Sequence, residues 1–514
     1  MTKRIIAALV VAWSATASAD PSTSLRVGPE RSRGAERADR STESLALQTS
    51  HAECSHLVML RFPDVKITSA VDVQPAASGP IRAAHCKVDG VIGTEIKFEL
   101  LLPGAWNGKF FMGGGGGFVG SIQNTAAPTV NDGYATVGTD TGHTGGAIDG
   151  KWALNNIERR VNFGYLAVHR TADVAKAIIA SYYGSASSKS YFIGCSRGGG
   201  QATMEALRYP DDFDGVVAGA PAMDWTGIAA QFLKDAQTAF PTPSTPLFTP
   251  DVLKSVAAQI LEKCDALDGV KDGVMEDPRT CTVDVGSLTG LSDGQKTALK
   301  KIYAAPRAKD GTVLYAAQPF GGEGEAGGWP AWISGGVMPG GTSARFGFST
   351  ELFKYFVFND PNWDYTKYDF ANYKKDTELT ASYLNSNDPN LDAFKAKGHK
   401  VIMWHGWADA GLSPLGTVQY YEQVEARDPK AHDFFRLFML PGVLHCGGGA
   451  GPDTVDWTTA IADWVEKGSA PDRLIARKMA SGAAKTSRPV CAYPQHAVYS
   501  GSGSTDDERS FACK

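Results

Sequence analysis

A short apolar run, Tyr191-Phe192-Ile193, stops at Gly194-Cys195-Ser196-Arg197-Gly198, and a segment of helical character, Gln201 to Leu207, follows. Strand, sharp turn and helix in that order leave few folds open. Small residues on both sides of a serine let the backbone reverse tightly. The turn then presents the hydroxyl at a helix N-terminus, where free N–H groups and positive dipole potential gather. A Gly-x-Ser-x-Gly match alone is weak; the apolar strand before it and the helix after it give it weight.

The neighbouring segments carry the same alternation. Ile96-Lys97-Phe98-Glu99-Leu100 alternates as a half-buried strand, and Lys109-Phe110-Phe111-Met112 is an apolar run ending at five glycines, Gly113 to Gly117. Tyr134-Ala135-Thr136-Val137-Gly138 and Val216-Val217-Ala218-Gly219-Ala220-Pro221 are further short strands. Residues 164–182 place Leu166, Val168, Ala172, Val174, Ile178 and Ile179 at helical spacing. Strands alternating with helices predict an α/β protein with a mostly parallel sheet covered on both faces. From about Trp225 the chain turns rich in Gly, Pro, Asp and aromatics. Strand character returns at Lys400-Val401-Ile402-Met403-Trp404-His405 and at Phe435-Arg436-Leu437-Phe438-Met439. Residues 225–399 are therefore expected to be a large inserted lid domain, with 51–224 and 400–514 the two parts of one core.

Lys3 and Arg4, the apolar run Ile5 to Trp13 and Ala17-Ser18-Ala19 form the pattern of an export signal over residues 1–19; a buried N-terminal helix is the bland alternative. Residues 20–50 are polar and charge-mixed, expected to be a flexible tail. A secreted or periplasmic location follows. A net charge of −5 over 514 residues gives no reason to expect nucleic acid or an anionic membrane as a partner, and no later stretch is long and apolar enough for a membrane helix. Eight cysteines in an exported chain make disulfides the default. Eight allow about 105 connectivities. Local spacing favours Cys54–Cys86, Cys264–Cys281 and Cys491–Cys513, which leaves Cys195 and Cys446 for each other.

A serine hydroxyl needs a base, and the base needs an orienting acid. In this class of sheet the chain order is Ser, Asp or Glu, then His, in loops after strands. Asp409 follows the strand ending at His405, and His445 follows the strand ending near Leu440. Ser196, Asp409 and His445 are thus the candidate catalytic residues; the bland alternative for Asp409 is a turn aspartate. His143, His169 and His405 lack the required position and are expected to be packed or hydrogen-bonded, with His143 a possible pocket wall. The oxyanion needs backbone donors. The N–H of Arg197 is one candidate, and Gly115 or Gly116 in the glycine run is the other, where glycine admits close approach. A flexible loop or a phosphate cradle is the competing reading, but Phe118-Val119 stands where a phosphate loop places Lys and Ser or Thr.

Together these motifs resemble the tannase and feruloyl esterase family of α/β-hydrolases, which includes the mono(hydroxyethyl) terephthalate hydrolases. The resemblance covers about residues 50–514. It rests on Gly113 to Phe118, Gly138-Thr139-Asp140-Thr141-Gly142-His143, Phe163-Gly164-Tyr165, the Ser196 turn with Gly199, Phe213-Asp214-Gly215, and the Asp409 and His445-Cys446 segments. It implies the α/β-hydrolase fold, the triad Ser196, Asp409 and His445, and a disulfide joining the cysteines beside Ser196 and His445. It also implies a structural calcium site in the lid on Asp265, Asp268, Val270, Asp272 and Val274, a set that spacing alone cannot tell from a solvated acidic turn. No organic cofactor is implied. The activity implied is hydrolysis of small aromatic esters: hydroxycinnamate esters first, terephthalate monoesters or galloyl esters next. A serine peptidase is disfavoured by the Cys-Ser and His-Cys pairs. A non-catalytic binder on this scaffold is the remote alternative. Trp329, Trp332, Phe353, Phe356, Phe358 and Trp363 are candidate pocket walls, and Arg345 is a candidate partner for a substrate carboxylate.

Overall fold

The computed structural model describes residues 51–242, 245–335 and 341–514. The expected signal and tail, residues 1–50, lie outside the described residues. A nine-stranded sheet forms the centre. In chain order its strands are β1 (Val65–Val73), β2 (His85–Ile92), β3 (Ile96–Pro103), β4 (Lys109–Gly113), β5 (Ala135–Thr139), β6 (Lys189–Cys195), β7 (Gly215–Gly219), β8 (Lys400–Gly406) and β9 (Phe435–Leu440). Their spatial order is β1-β2-β3-β5-β4-β6-β7-β8-β9. The pairs from β5 through β9 are parallel, and the β1-β2-β3 edge and its junction with β5 are antiparallel. This is the expected α/β fold.

The apolar runs are continuous because both sheet faces are covered, and successive residues divide between the two faces. Phe110, Met112, Val216, Ala218, Val401 and Met403 join one core cluster with helix Ala167–Tyr183. Phe111, Val217, Ile402 and Trp404 join the other, with Trp457, Ile461 and Trp464 of helix Trp457–Lys467. Two helix bounds differ from expectation. The helix after Ser196 spans Arg197–Arg208 and so includes the glycines that concealed its first turn. The helix expected over 164–182 runs Ala167–Tyr183, preceded by the short helix Ile157–Val161 and a single π-turn, Asn162–Leu166.

Between β7 and β8 the described residues contain helices and no strand of the sheet. Trp225–Ala239, Pro250–Cys264, Asp293–Tyr303 and Ala344–Leu352 begin on side-chain caps from Asp224, Thr249, Ser292 and Ser343. The chain ends in two small hairpins outside the sheet, Arg473–Ala480 with Ala483–Cys491 and Ala497–Tyr499 with Phe511–Cys513. All eight cysteines are paired, in the three pairs expected from spacing and the fourth, Cys195–Cys446, that they leave. Among the described residues no helix is long and apolar enough to cross a membrane.

Candidate active site

Ser196 sits between β6 and helix Arg197–Arg208 at φ 62° and ψ −121°, a left-handed conformation that is strained for any residue with a side chain. Hydrogen bonds hold it there: its N–H donates to Gly219 at 2.9 Å, and its carbonyl accepts from Gly200 at 3.0 Å and Ala222 at 2.9 Å. The turn closes so tightly that a Cβ on Gly194 would lie 2.5 Å from the Gly198 carbonyl carbon. Arg197 is the first residue of the helix, where a backbone N–H has no acceptor one turn back.

Asp409 follows β8 and is fully buried. Its Oδ2 accepts from His445 Nδ1 at 2.8 Å and from His405 Nε2 at 2.9 Å. Its Oδ1 accepts from the N–H groups of Gly411 at 2.6 Å and Leu412 at 3.0 Å. Burial by itself would raise this carboxyl. The charge of His445 and the hydrogen bonds from His405 and His445 outweigh burial, and hold it well below the usual carboxylate range. A side chain at Gly411 would meet the His445 ring at 2.9 Å, so this close approach requires glycine. His445 Nδ1 is thereby committed to the carboxylate, while Nε2 is buried without a hydrogen-bond partner. An imidazole held at one nitrogen with the other uncommitted is the arrangement a general base requires.

The Cys195–Cys446 disulfide joins the residues beside Ser196 and His445, with 5.9 Å between its Cα atoms across a sequence separation of 251. Cys446, like Ser196, has positive φ, at 61°. The bond therefore connects two strained loops.

His405 was expected to be a packed or hydrogen-bonded residue, and its role is more specific. It is buried between Asp409 and Thr417, whose Oγ1 lies 2.7 Å from Nδ1, so it braces the same carboxylate oxygen that His445 uses. The spacing His405 to Asp409, four residues across the end of a strand, was its only signal in the sequence. His143 is a packed residue, as expected: it is 1% exposed, stacked on Trp152 at 3.6 Å and hydrogen-bonded to the Phe118 carbonyl. Burial pushes it down to about 4, so it stays neutral. His169 pairs with Asp212 at 2.7 Å.

The glycine run packs against the nucleophile turn, as a Cβ on Gly198 would meet the Gly115 carbonyl at 3.2 Å. The two glycine N–H groups expected as oxyanion donors are already engaged. Gly115 donates to Gln201 Oε1 at 3.1 Å and Gly116 to Gln123 Oε1 at 2.8 Å. Either could serve an oxyanion only by sharing or exchanging that bond.

Of the six aromatics expected as walls, Trp332 is the one packed on His445, edge to face with ring centroids 4.7 Å apart. Phe348, which sequence reasoning missed, lies parallel to Trp332 at 6.2 Å. Trp329, Phe353 and Phe356 are sealed in the cores of the inserted segment, and Phe358 and Trp363 stack against Phe353 or each other. Arg345 is not a substrate residue. It is fully buried, with Nε on the Ala410 carbonyl, Nη1 on Asp235 and Nη2 on Gln318. Sequence could not show this, because Asp235 lies 110 residues away.

The acidic loop closes on itself. Asp265 accepts from the N–H of Gly273 at 2.9 Å, Asp268 from Val270 and Glu276 at 3.0 Å each, and Asp272 from Val274 at 3.1 Å. Asp272 also pairs with Arg488. Burial, and then the charge of Asp272, push Asp268 upward. Burial also raises Glu276 to about 7, with Asp268 and Asp272 adding to the effect and Arg488 opposing it. Asp272 and Glu276 face the Arg488 guanidinium. Oxygen donors of this kind are those a hard divalent cation takes, but among the described residues the loop carboxylates do not converge as a metal-binding group. Arg488 already occupies one face of Asp272, so a cation would share or displace it.

Residues 81–514 match the family described as tannase and feruloyl esterase. The chain is 34% identical over 531 residues to a mono(2-hydroxyethyl) terephthalate hydrolase of Piscinibacter sakaiensis, covering 87% of this chain and 88% of that one. It is 31% identical over 465 residues to feruloyl esterase B of Aspergillus niger, covering 83% and 86%. The crystal structure of feruloyl esterase B from Aspergillus oryzae superposes with a TM-score of 0.80 at 27% identity, covering 90% of this chain and all of that one. A hydrolase sheet with a serine on its sharpest turn, and an acid–histidine pair disulfide-linked to that turn, agrees with the match over most of the chain: this protein belongs to the tannase and feruloyl esterase family and is a carboxylic ester hydrolase.

Proposed function

We propose that the protein is an exported serine esterase that cleaves esters of aromatic acids, hydroxycinnamates foremost, through an acyl-enzyme. The observation that carries this is the His445 imidazole, fixed by Asp409 at Nδ1 and free at Nε2, on a loop tied covalently to the residue before Ser196. Ser196 Oγ attacks the ester carbonyl while His445 Nε2 takes its proton, and Asp409 stabilises the imidazolium. The Arg197 N–H and a glycine of the run, Gly115 or Gly116, receive the oxyanion, the glycine by sharing or exchanging its bond to Gln201 or Gln123. His445 returns the proton to the leaving alcohol. It then activates the water that releases the acid. Trp332 and Phe348 offer an apolar wall beside His445, and the helical segment 225–399 acts as the lid. Export accords with four disulfides and no free cysteine among the described residues.

A neutral aromatic ester is favoured over a charged monoester because Arg345, the cation first considered for a substrate carboxylate, is committed to Asp235. Hydrolysis of terephthalate monoesters is the second reading, supported by the 34% identity to the Piscinibacter enzyme. Initial rates on methyl ferulate, a galloyl ester and mono(2-hydroxyethyl) terephthalate decide among them. Methyl ferulate is expected to give the highest kcat/KM, and preference for either other ester rejects the assignment.

Calcium is proposed for the acidic loop, held by the carboxylates of Asp265, Asp268 and Asp272 and the carbonyls of Val270 and Val274. Bound there, it would supply charge neutralisation and rigidity, not chemistry at the ester. Binding to the folded state alone raises stability by about 2.7 kcal/mol at a hundred-fold excess over Kd. Stripping with EGTA is therefore expected to lower the melting temperature by several degrees, restored by added Ca²⁺ and not by Mg²⁺. An unchanged melting temperature would mean that Arg488 alone balances the loop.

A further inference from the structure

Arg197 occupies a place where an arginine is costly. It begins the helix after Ser196, and the N-terminal end of a helix repels a cation. Its side chain is 1% exposed and has no ion-pair partner among the described residues. Nε and Nη1 make no hydrogen bond. Burial pushes the guanidinium down to about 9, with Glu205 opposing, so it remains charged near neutral pH. A desolvated, part-satisfied cation destabilises a fold unless something holds it and something is gained.

What holds it is the π-turn Asn162–Leu166. There the N–H of Ala167 reaches back five residues to the Asn162 carbonyl, widening the helix by one residue. Two carbonyls of that turn accept from the arginine: Nη2 donates to Phe163 and, at 2.7 Å, to Gly164. The guanidinium carbon lies 4.5 Å from the centroid of the Phe163 ring and 5.7 Å from that of Trp225. The turn itself has no freedom to retreat, since a Cβ on Gly164 would stand 2.2 Å from the Tyr383 carbonyl oxygen. Phe163 is fully buried.

We propose that Arg197 is a positioning residue: its guanidinium, clamped to the π-turn, fixes the one peptide N–H that follows the catalytic serine and so pre-aligns the oxyanion donor. The clamp acts through the backbone. Its side chain faces the buried interior, while its amide serves the reacting carbonyl. It rests on Ser196 being the nucleophile. Loss of the clamp leaves substrate binding alone and slows both acylation and deacylation, because each passes through an oxyanion.

The test compares Arg197→Met, which keeps the apolar stem and removes every donor, with Arg197→Lys, which keeps charge and one point of contact. Active sites are counted by stoichiometric labelling with a fluorophosphonate, and the labelled peptide is identified by mass spectrometry. Per labelled site, Arg197→Met is expected to lose roughly 100-fold in kcat on p-nitrophenyl acetate, with KM within about 3-fold of the parent. Affinity for an arylboronic acid, which forms the tetrahedral anion, should fall in parallel. Arg197→Lys should recover to within about 10-fold of the parent, and that residual deficit decides the matter if the methionine variant does not fold. Parental kcat per labelled site in Arg197→Met, or in Arg197→Lys where the methionine variant does not fold, with activity lost only as sites are lost, overturns the clamp and leaves the nucleophile assignment standing. A parent enzyme that is not labelled at Ser196 overturns both.

Discussion

Replacing Ser196 by alanine should abolish ester turnover, with kcat on p-nitrophenyl esters falling by at least about 10⁴-fold while the fold survives. The hydroxyl is the only group lost, and the turn that carries it is held by backbone hydrogen bonds to Gly219, Gly200 and Ala222 that alanine keeps. Removing a strained serine's side chain costs no buried polar partner, so the melting temperature should stay within a few degrees of the parent. KM should change little, because the aromatic wall at Trp332 and Phe348 is untouched. The measurement is kcat and KM beside a thermal melt. Retention of even a tenth of parental turnover would remove Ser196 from the mechanism and with it the role of His445.

The Cys195→Ala, Cys446→Ala double variant should show the second-largest effect, and on two scales. In the chain-entropy description, closing a loop of 251 residues restricts the unfolded state by roughly 5 kcal/mol, so the melting temperature should drop markedly. Turnover should fall further than folded yield, by roughly 10- to 100-fold per folded molecule, because displacements near 1 Å between base and nucleophile carry penalties of that order. Ser196 and Cys446 both sit at positive φ, and the bond between their loops is what opposes relaxation of either. The informative pairing is specific activity per labelled active site against the melt. Parental activity per site with a lowered melting temperature would make the bond a staple for the fold alone.

How much of this could be read from residues depended on the range of the interaction. Local patterns were legible. The β6 strand, the turn and the buried strands β4, β7 and β8 follow from continuous apolar runs, three cysteine pairs follow from spacing, and the fourth is what they leave. The first turn of the helix after Ser196 was hidden by Gly198, Gly199 and Gly200, whose weak helix propensity is overridden by packing against β7 and Ala222. The terminal hairpins were missed because the first exposes much of both faces and the second has strands of only three residues. Partners distant in sequence left no trace. Gln201 on Gly115, Asp235 on Arg345 and Arg488 on Asp272 are contacts across 86, 110 and 216 residues, and each engages a residue singled out in the sequence; the one to Asp235 removes the role expected of Arg345. Phe348 stayed unnoticed among many aromatics of the insertion, since only the packing on Trp332 distinguishes it.

The order of the site along the chain has a consequence for biosynthesis. Ser196 emerges from the ribosome long before Asp409 and His445, and Cys446 must wait for the last stretch of polypeptide before it can oxidise with Cys195. A nascent or truncated chain ending before residue 446 therefore carries an exposed serine without a base, and an unpaired thiol beside it. On the proposed mechanism such a chain is inert toward esters. Full activity then follows synthesis of the last segment and closure of the Cys195–Cys446 bond.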